Sequence, residues 1–245
     1  TFKDEVGLGG DLHMDGSGTV TLDGTHANFG GLLQVNAGTV DLQGTINNGF
    51  AEINDGGILT GDGSVGVTAG SLIVNEGGIL SPGNDVGTIN AGDTFFAAGG
   101  SYLWEVTDFT DATVANNGAV DAGTDWDLLA VTGTLDLTGL STSNPFVIDI
   151  TALASALGPN GYANNTDTLT DYIFNIATAT DGIDITGLTS PINDYFTITQ
   201  ANYPNDGRPG IFAIQISGSS LQLKHLAHVP EPSTTVLFGL GGILL

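Results

Sequence analysis

Cysteine is missing from this 245-residue chain, and basic side chains nearly so. Without cysteine there is no disulfide framework and no thiolate metal site, so stability has to come from backbone pairing and packing. The three cations, Lys3, Arg208 and Lys224, stand far apart in the sequence. Phosphate binding draws on clustered Lys and Arg, which excludes nucleic acid as a partner. Adsorption by charge to an anionic membrane face is excluded for the same reason. Against these cations stand 27 carboxylates, for a formal net charge of −24. Charge of that size repels copies of the same molecule, and assembly needs salt or divalent cations to offset it.

What is present is apolar and flexible. Charged residues make up 12% of the chain, hydrophobic residues 40%, and there are 38 glycines. That apolar content builds a core, which a disordered acidic tail cannot do. The chain starts at Thr1 without a charged-then-apolar leader, so an exported form is expected to have lost its signal peptide already.

From Gly16 to Leu80 one phrase recurs: a turn of Gly and small polar residues, then a short aliphatic or β-branched strand. G-T-V-T-L-D-G runs from Gly18 and G-T-V-D-L-Q-G from Gly38; V-N-A-G-T-V starts at Val35, I-N-D-G-G-I-L at Ile53 and V-N-E-G-G-I-L at Val74. The glycines that open these strands, Gly18, Gly38, Gly57 and Gly78, are 20, 19 and 21 residues apart. A period near 20 with five-residue strands is what one coil of a parallel β-solenoid requires. A Gly-rich antiparallel sandwich is the competing reading. Alternation predicts stacked parallel strands from Gly16 to about Asn90, with Val20, Leu22, Val40, Leu42, Leu59, Ile73, Leu80 and Ile89 inward. Asn36, Asn54 and Asn75 either stack as an amide ladder or serve as left-handed corner residues; the corner reading is preferred.

The second half remains β-rich but loses the strict period. Tyr102, Trp104 and Val106 alternate, as do Phe146, Ile148 and Ile150, and as do Phe212, Ile214 and Ile216. These aromatics predict a broader core or a cap over the end of the stack. A short helix is expected at Thr151 to Leu157, stopped by Gly158-Pro159. Asp111 to Asp125, Asn160 to Asp167 and Asn202 to Gly210 read as acidic or Asn-rich loops.

The chain closes on Val229, Pro230, Glu231, Pro232, Ser233 and Thr234, then an uncharged apolar run from Val236 to Leu245. The prolines break regular structure, and Ser233 or Thr234 can cap a short helix. This arrangement resembles the PEP-CTERM sorting signal of Gram-negative and related bacteria. There a Pro-Glu-Pro motif, an apolar helix and a terminal basic cluster mark exported proteins for exosortase processing. The first two parts are present here and the basic cluster is absent. As a helix the run spans roughly 15 Å, half a bilayer's hydrocarbon thickness, so it touches a membrane only transiently. The expectation is instead a helix over Ser233 to Leu245 packed between subunits, with Val236, Leu237, Phe238, Leu240, Ile243, Leu244 and Leu245 as the assembly tail.

G-I-L-S-P-G-N-D-V-G-T-I-N-A-G-D from Gly78, A-G-G-S-Y-L-W-E-V from Ala98 and D-W-D-L-L-A-V-T-G-T-L-D-L from Asp125 are similar to autotransporter-associated β-strand proteins that end in PEP-CTERM signals. The resemblance runs from about Val35 to the end. It implies an exported, surface-associated role and supplies no catalytic residues.

Enzymatic chemistry is poorly provided for. A polysaccharide lyase uses Arg or Lys to stabilise its intermediate and as base, and the repeats contain neither after Lys3. Asp125 and Asp127 are a candidate glycosidase pair, although a solvent-facing acidic pair beside Trp126 is the preferred reading. His13, His26, His225 and His228 show no nucleophile-triad arrangement, and the last two read as linker residues. Calcium suits the composition better than any organic cofactor, through weak surface binding more than specific sites. Gly61-Asp62-Gly63 and Asn205-Asp206-Gly207 are explained equally well as tight turns, and Asn164 begins an isolated sequon-like match.

The sequence therefore predicts an all-β chain: a parallel β-solenoid (β-helix) over 1–94, a β-rich continuation or cap with acidic loops over 95–224, and a PEP-CTERM-like tail with a short apolar helix over 225–245. The expected function is non-enzymatic, as an exported subunit of an extracellular filament, surface layer or matrix that forms homo-oligomers or polymers. No cofactor is required. The alternative is an adhesin binding surface polysaccharide through Tyr162, Tyr195 and Tyr203; a polysaccharide-active enzyme is the third reading.

Overall fold

The computed structural model describes residues 10–25, 30–153, 170–202 and 211–227. Short strands follow one another in a fixed rotation. First come β1 (Leu12–Met14) and β2 (Thr19–Leu22), then β3 (Leu32–Val35), β4 (Gly38–Leu42) and β5 (Thr45–Ile46). The next turns are β6 (Phe50–Ile53), β7 (Gly57–Gly61) and β8 (Ser64–Val65), then β9 (Ser71–Val74), β10 (Ile79–Pro82) and β11 (Thr88–Ala91). They are followed by β12 (Asp93–Phe96), β13 (Ser101–Val106) and β14 (Leu128–Val131), then β15 (Thr134–Asp136), β16 (Phe146–Ala152) and β17 (Tyr172–Ala179). The last are β18 (Gly182–Asp184), β19 (Phe196–Asn202), β20 (Ile211–Ser217) and β21 (Ser220–Leu226).

Three seven-stranded sheets result. The first is ordered β1-β3-β6-β9-β12-β15-β18, the second β2-β4-β7-β10-β13-β16-β19, and the third β5-β8-β11-β14-β17-β21-β20. The strand pairs of the first two sheets are parallel. Only at the end of the third sheet does the direction reverse, where β21 pairs antiparallel with both β17 and β20. Parallel pairing through Gly16–Asn90 is as expected, and throughout-antiparallel hairpins are not what the chain forms. The boundary expected at 94/95 falls inside β12, and the same three sheets continue on both sides of it.

Register places like with like. In the second sheet Val20, Val40, Leu59, Leu80, Tyr102, Ile148 and Ile198 stand opposite one another in turn. Val40, Leu42, Leu59, Leu80 and Ile89 are buried, as predicted, and so is Leu22. Val20 is half-buried because β2 is an edge strand with a neighbour on one side only. Ile73 corrects the prediction: it faces outward, while Leu72 and Val74 are buried. Three consecutive apolar residues carry no alternation of their own, and the pairing of Val74 with Ile53 sets the phase.

The corners explain the Gly-Gly signature. Gly57 donates to the Asn54 carbonyl at 2.8 Å and Gly78 to that of Asn75 at 3.0 Å, closing tight turns between the first and second sheets. Gly56 and Gly77, the third residues of those turns, hold φ of +83° and +73°, which other residues adopt with difficulty. A Cβ on Gly57 would run into the Val35 carbonyl of the preceding turn.

The asparagines correct a second expectation. Asn36, Asn54 and Asn75 do not adopt positive φ; among the described non-glycine residues only Asn117 and Asp121 do. Instead Asn75 Nδ2 donates to Asn54 Oδ1 at 2.8 Å, Asn54 Nδ2 to Asn36 Oδ1 at 2.7 Å, and Asn36 Nδ2 to Asp15 Oδ1 at 2.7 Å. Gly38, Gly56 and Gly77, two residues further on, take the left-handed position, which frees the amides to stack.

The helix expected at Thr151 to Leu157 is not formed at its start. Thr151 and Ala152 complete β16 and pair with Glu105 and Val106, because β13 offers backbone partners that local propensity cannot match; 154–157 lie outside the described residues. Most of the described aromatic residues of the second half fill the interior. Phe96 and Phe146 stack at 4.4 Å, and Trp104, Trp126 and Phe109 surround Phe174 at 5.1, 5.1 and 4.8 Å.

Candidate functional site: the acidic corner and the closing hairpin

Between β13 and β14 the chain leaves the sheets and returns through Asp125, Trp126 and Asp127. The two aspartates do not share one strand face, since β14 starts only at Leu128. Asp127 is fully buried, and this overturns the solvent-facing reading. Its Oδ1 accepts the Gly87 N–H at 2.9 Å and its Oδ2 the Glu105 N–H at 2.8 Å, while its carbonyl accepts Trp104 Nε1 at 3.0 Å. The carboxylate thus joins the approach to β11 to β13 and the approach to β14. Burial pushes its pKa well above the usual range; the two N–H bonds oppose that, and the charges of Glu105 and Asp62 add to it. Glu105 is raised too, by burial and then by Asp85.

Asp125 stays half-exposed, and its carbonyl accepts the Thr107 N–H at 2.7 Å. Its pKa is raised by burial and by the charges of Asp108, Asp121 and Asp111. Asp127, fully buried with both carboxylate oxygens bound to backbone N–H groups, does not face solvent beside Asp125. Asp62 joins successive turns as well, accepting the Thr88 N–H at 2.9 Å. No group of three or more His, Asp or Glu among the described residues is placed to hold a metal ion.

The other candidates fall apart as a site. His13 is exposed on β1. Tyr195 is buried, its hydroxyl accepting the Thr189 and Ser190 N–H groups at 2.9 and 3.1 Å, so it offers no open ring to a glycan. Tyr162, Tyr203, His26, His228, Asn164 and Asn205-Asp206-Gly207 lie outside the described residues, as do the sorting motif Val229–Thr234 and the tail Val236–Leu245.

His225 is no linker residue. It sits on β21, buried, opposite Tyr172 of β17 and Phe212 of β20. Its ring lies 5.0 Å from Phe212, 5.7 Å from Tyr172 and 6.2 Å from Phe109. The imidazole bonds the Thr170 backbone, and burial lowers its pKa. Beside it Gln222 Nε2 reaches Asn175 Oδ1 at 2.8 Å and the Asn117 carbonyl at 3.0 Å, tying the hairpin to β17 and to the acidic loop. The sequence signal was the alternation of β21, which places Leu221, Leu223 and His225 on one face.

Among the described residues the outer sheet faces carry open depressions. One, of about 240 Å³, is lined by Ile73, Phe95, Asp93 and Asp136 on the first sheet; another, of about 180 Å³, by Ile58, Ile79, Leu103 and Val147 on the second. Both are smaller than ordinary small-molecule sites of roughly 300–1,000 Å³. No family model matches the chain, and no curated protein is significantly similar to it.

Proposed function

We propose that this chain is a non-enzymatic structural subunit, exported and assembled into an extracellular filament, surface layer or matrix. The rotation of its strands through three parallel sheets is read as a β-solenoid with turns of about 20 residues. That rotation is the observation that carries the proposal. A stack of this kind exposes two sheet ends and long outer faces, which suits a building block better than a pocketed catalyst. Among the described strands, β1 and β2 at one end and β18, β19 and β20 at the other each have a single neighbour in their sheets, while β5 pairs with β8 and is bridged by Thr25.

Export rests on the sequence of Val229–Thr234 and the apolar run after it, read as a sorting signal. The assembly role of residues 233–245 rests on their apolar content, set against a body of charge −24. Deleting residues 233–245 is expected to give a folded monomer, measured by light scattering and circular dichroism; normal assembly of the truncated chain would refute the tail's role. The polysaccharide-binding alternative loses support from the burial of Tyr195. A glycan array of the full chain decides it, and specific binding there would favour the adhesin.

A further inference from the structure

The hairpin that ends the third sheet hides a titratable group among aromatic rings. His225 is 1% exposed, and its Nδ1 has no hydrogen-bond partner among the described residues. A neutral imidazole suits this place: one hydrogen bond goes to the Thr170 backbone and an unpaired nitrogen faces apolar surroundings. A second proton would put a full charge and an N–H without acceptor between Tyr172 and Phe212, which is costly.

We propose that His225 makes the docking of the β20–β21 hairpin on β17 sensitive to acid, so that mild acidification loosens the hairpin and uncovers an apolar strand edge. The edge in question is continuous, since Tyr172 through Ala177 are buried. Among the described residues the ionisable groups around His225 are few. Tyr172 comes from β17 and Asp171 from the residue before it, Lys224 from β21, and Asp108 and Asp111 flank Phe109; β20 contributes no ionisable side chain. Asp171 favours the imidazolium, yet it is already held by Lys224 Nζ at 3.8 Å and the Ala227 N–H at 2.7 Å. Burial dominates, and the docked pKa lies below the ordinary 6.5.

The undocked hairpin therefore takes up a proton more readily than the docked one. Docking is at full strength above about pH 6.5, weakens by up to tenfold per pH unit below it, and levels off beneath the docked pKa. Asp127 and Glu105 have raised values, so acid strengthens the corner they occupy. The effect has to be read locally.

Hydrogen exchange of the full chain between pH 7.5 and 5.0, corrected for intrinsic rates, reads it. Protection of Tyr172–Ala179 and Ser220–Leu226 is expected to fall by up to tenfold per unit, while β4 and β7 hold theirs. His225→Phe should remove that dependence. Unchanged protection in the parent chain, or a His225→Phe protein that keeps the same dependence, overturns the proposal. Should His225→Phe fail to fold, an NMR titration of the parent imidazole takes its place: titration well below 6.5 sustains the proposal and titration at or above 6.5 overturns it.

Discussion

At the scale of single residues the structure uses side-chain oxygens as backbone acceptors between turns of the chain. Asp127 serves two backbone N–H groups at once, and Asp93 accepts the Thr134 N–H at 2.9 Å. Part of the acidity of this protein is therefore structural. Replacing Asp127 with Ala leaves the Gly87 and Glu105 N–H groups without acceptors, and the expected loss is about 2–4 kcal/mol in urea unfolding. A loss under about half a kcal/mol would contradict the fastening role. Asn54 both donates to Asn36 and accepts from Asn75. Asn54→Ala should cost about 1–2 kcal/mol by the same measurement, and Asn54→Gly should not restore it, since no left-handed conformation is needed there. The sequence showed three regularly spaced asparagines but not which role they take. That depends on the neighbouring glycine accepting the positive φ, a matter of turn geometry two residues away.

At the scale of elements the corner phrase Asn-x-Gly-Gly carries two separate demands. Gly56 supplies the positive φ, and Gly57 lets the strand start beneath the Val35 carbonyl. Gly56→Ala is expected to cost about 1–2 kcal/mol from backbone strain alone. Gly57→Ala should cost more, because the new methyl meets backbone and not a movable side chain; thermal unfolding ranks the two, and the reverse order would contradict this reading. The near-constant spacing of the strand-opening glycines Gly18, Gly38, Gly57 and Gly78 is why parallel strands from Gly16 to Asn90 were legible in the sequence. Ile73 was misread because Leu-Ile-Val has no period, and Thr151–Ala152 because local helix propensity says nothing of the neighbouring strand's free edge. Asp127 was misread as solvent-facing for a related reason. Its burial comes from chain segments 22 and 40 residues away, around Glu105 and Gly87, and no local pattern reports that distance.

At the scale of the whole molecule, charge and packing oppose each other. A body carrying −24 with almost no cations stores self-repulsion that salt screens. The melting temperature is expected to rise between 0.01 and 0.5 M NaCl, ionic strengths chosen to span screening lengths from about 30 Å to under 10 Å. A melting temperature insensitive to salt would mean that the carboxylates are already neutralised in pairs or by protonation. The repeated turn and the acidic composition were readable in advance. The closing hairpin was not, since an antiparallel ending looks in sequence like two more alternating strands. The proposed assembly of this chain is tested most directly by electron microscopy of the purified protein, in low salt and then with added salt and calcium. The account predicts ordered polymers or arrays once repulsion is screened, and isolated particles under every condition would contradict it.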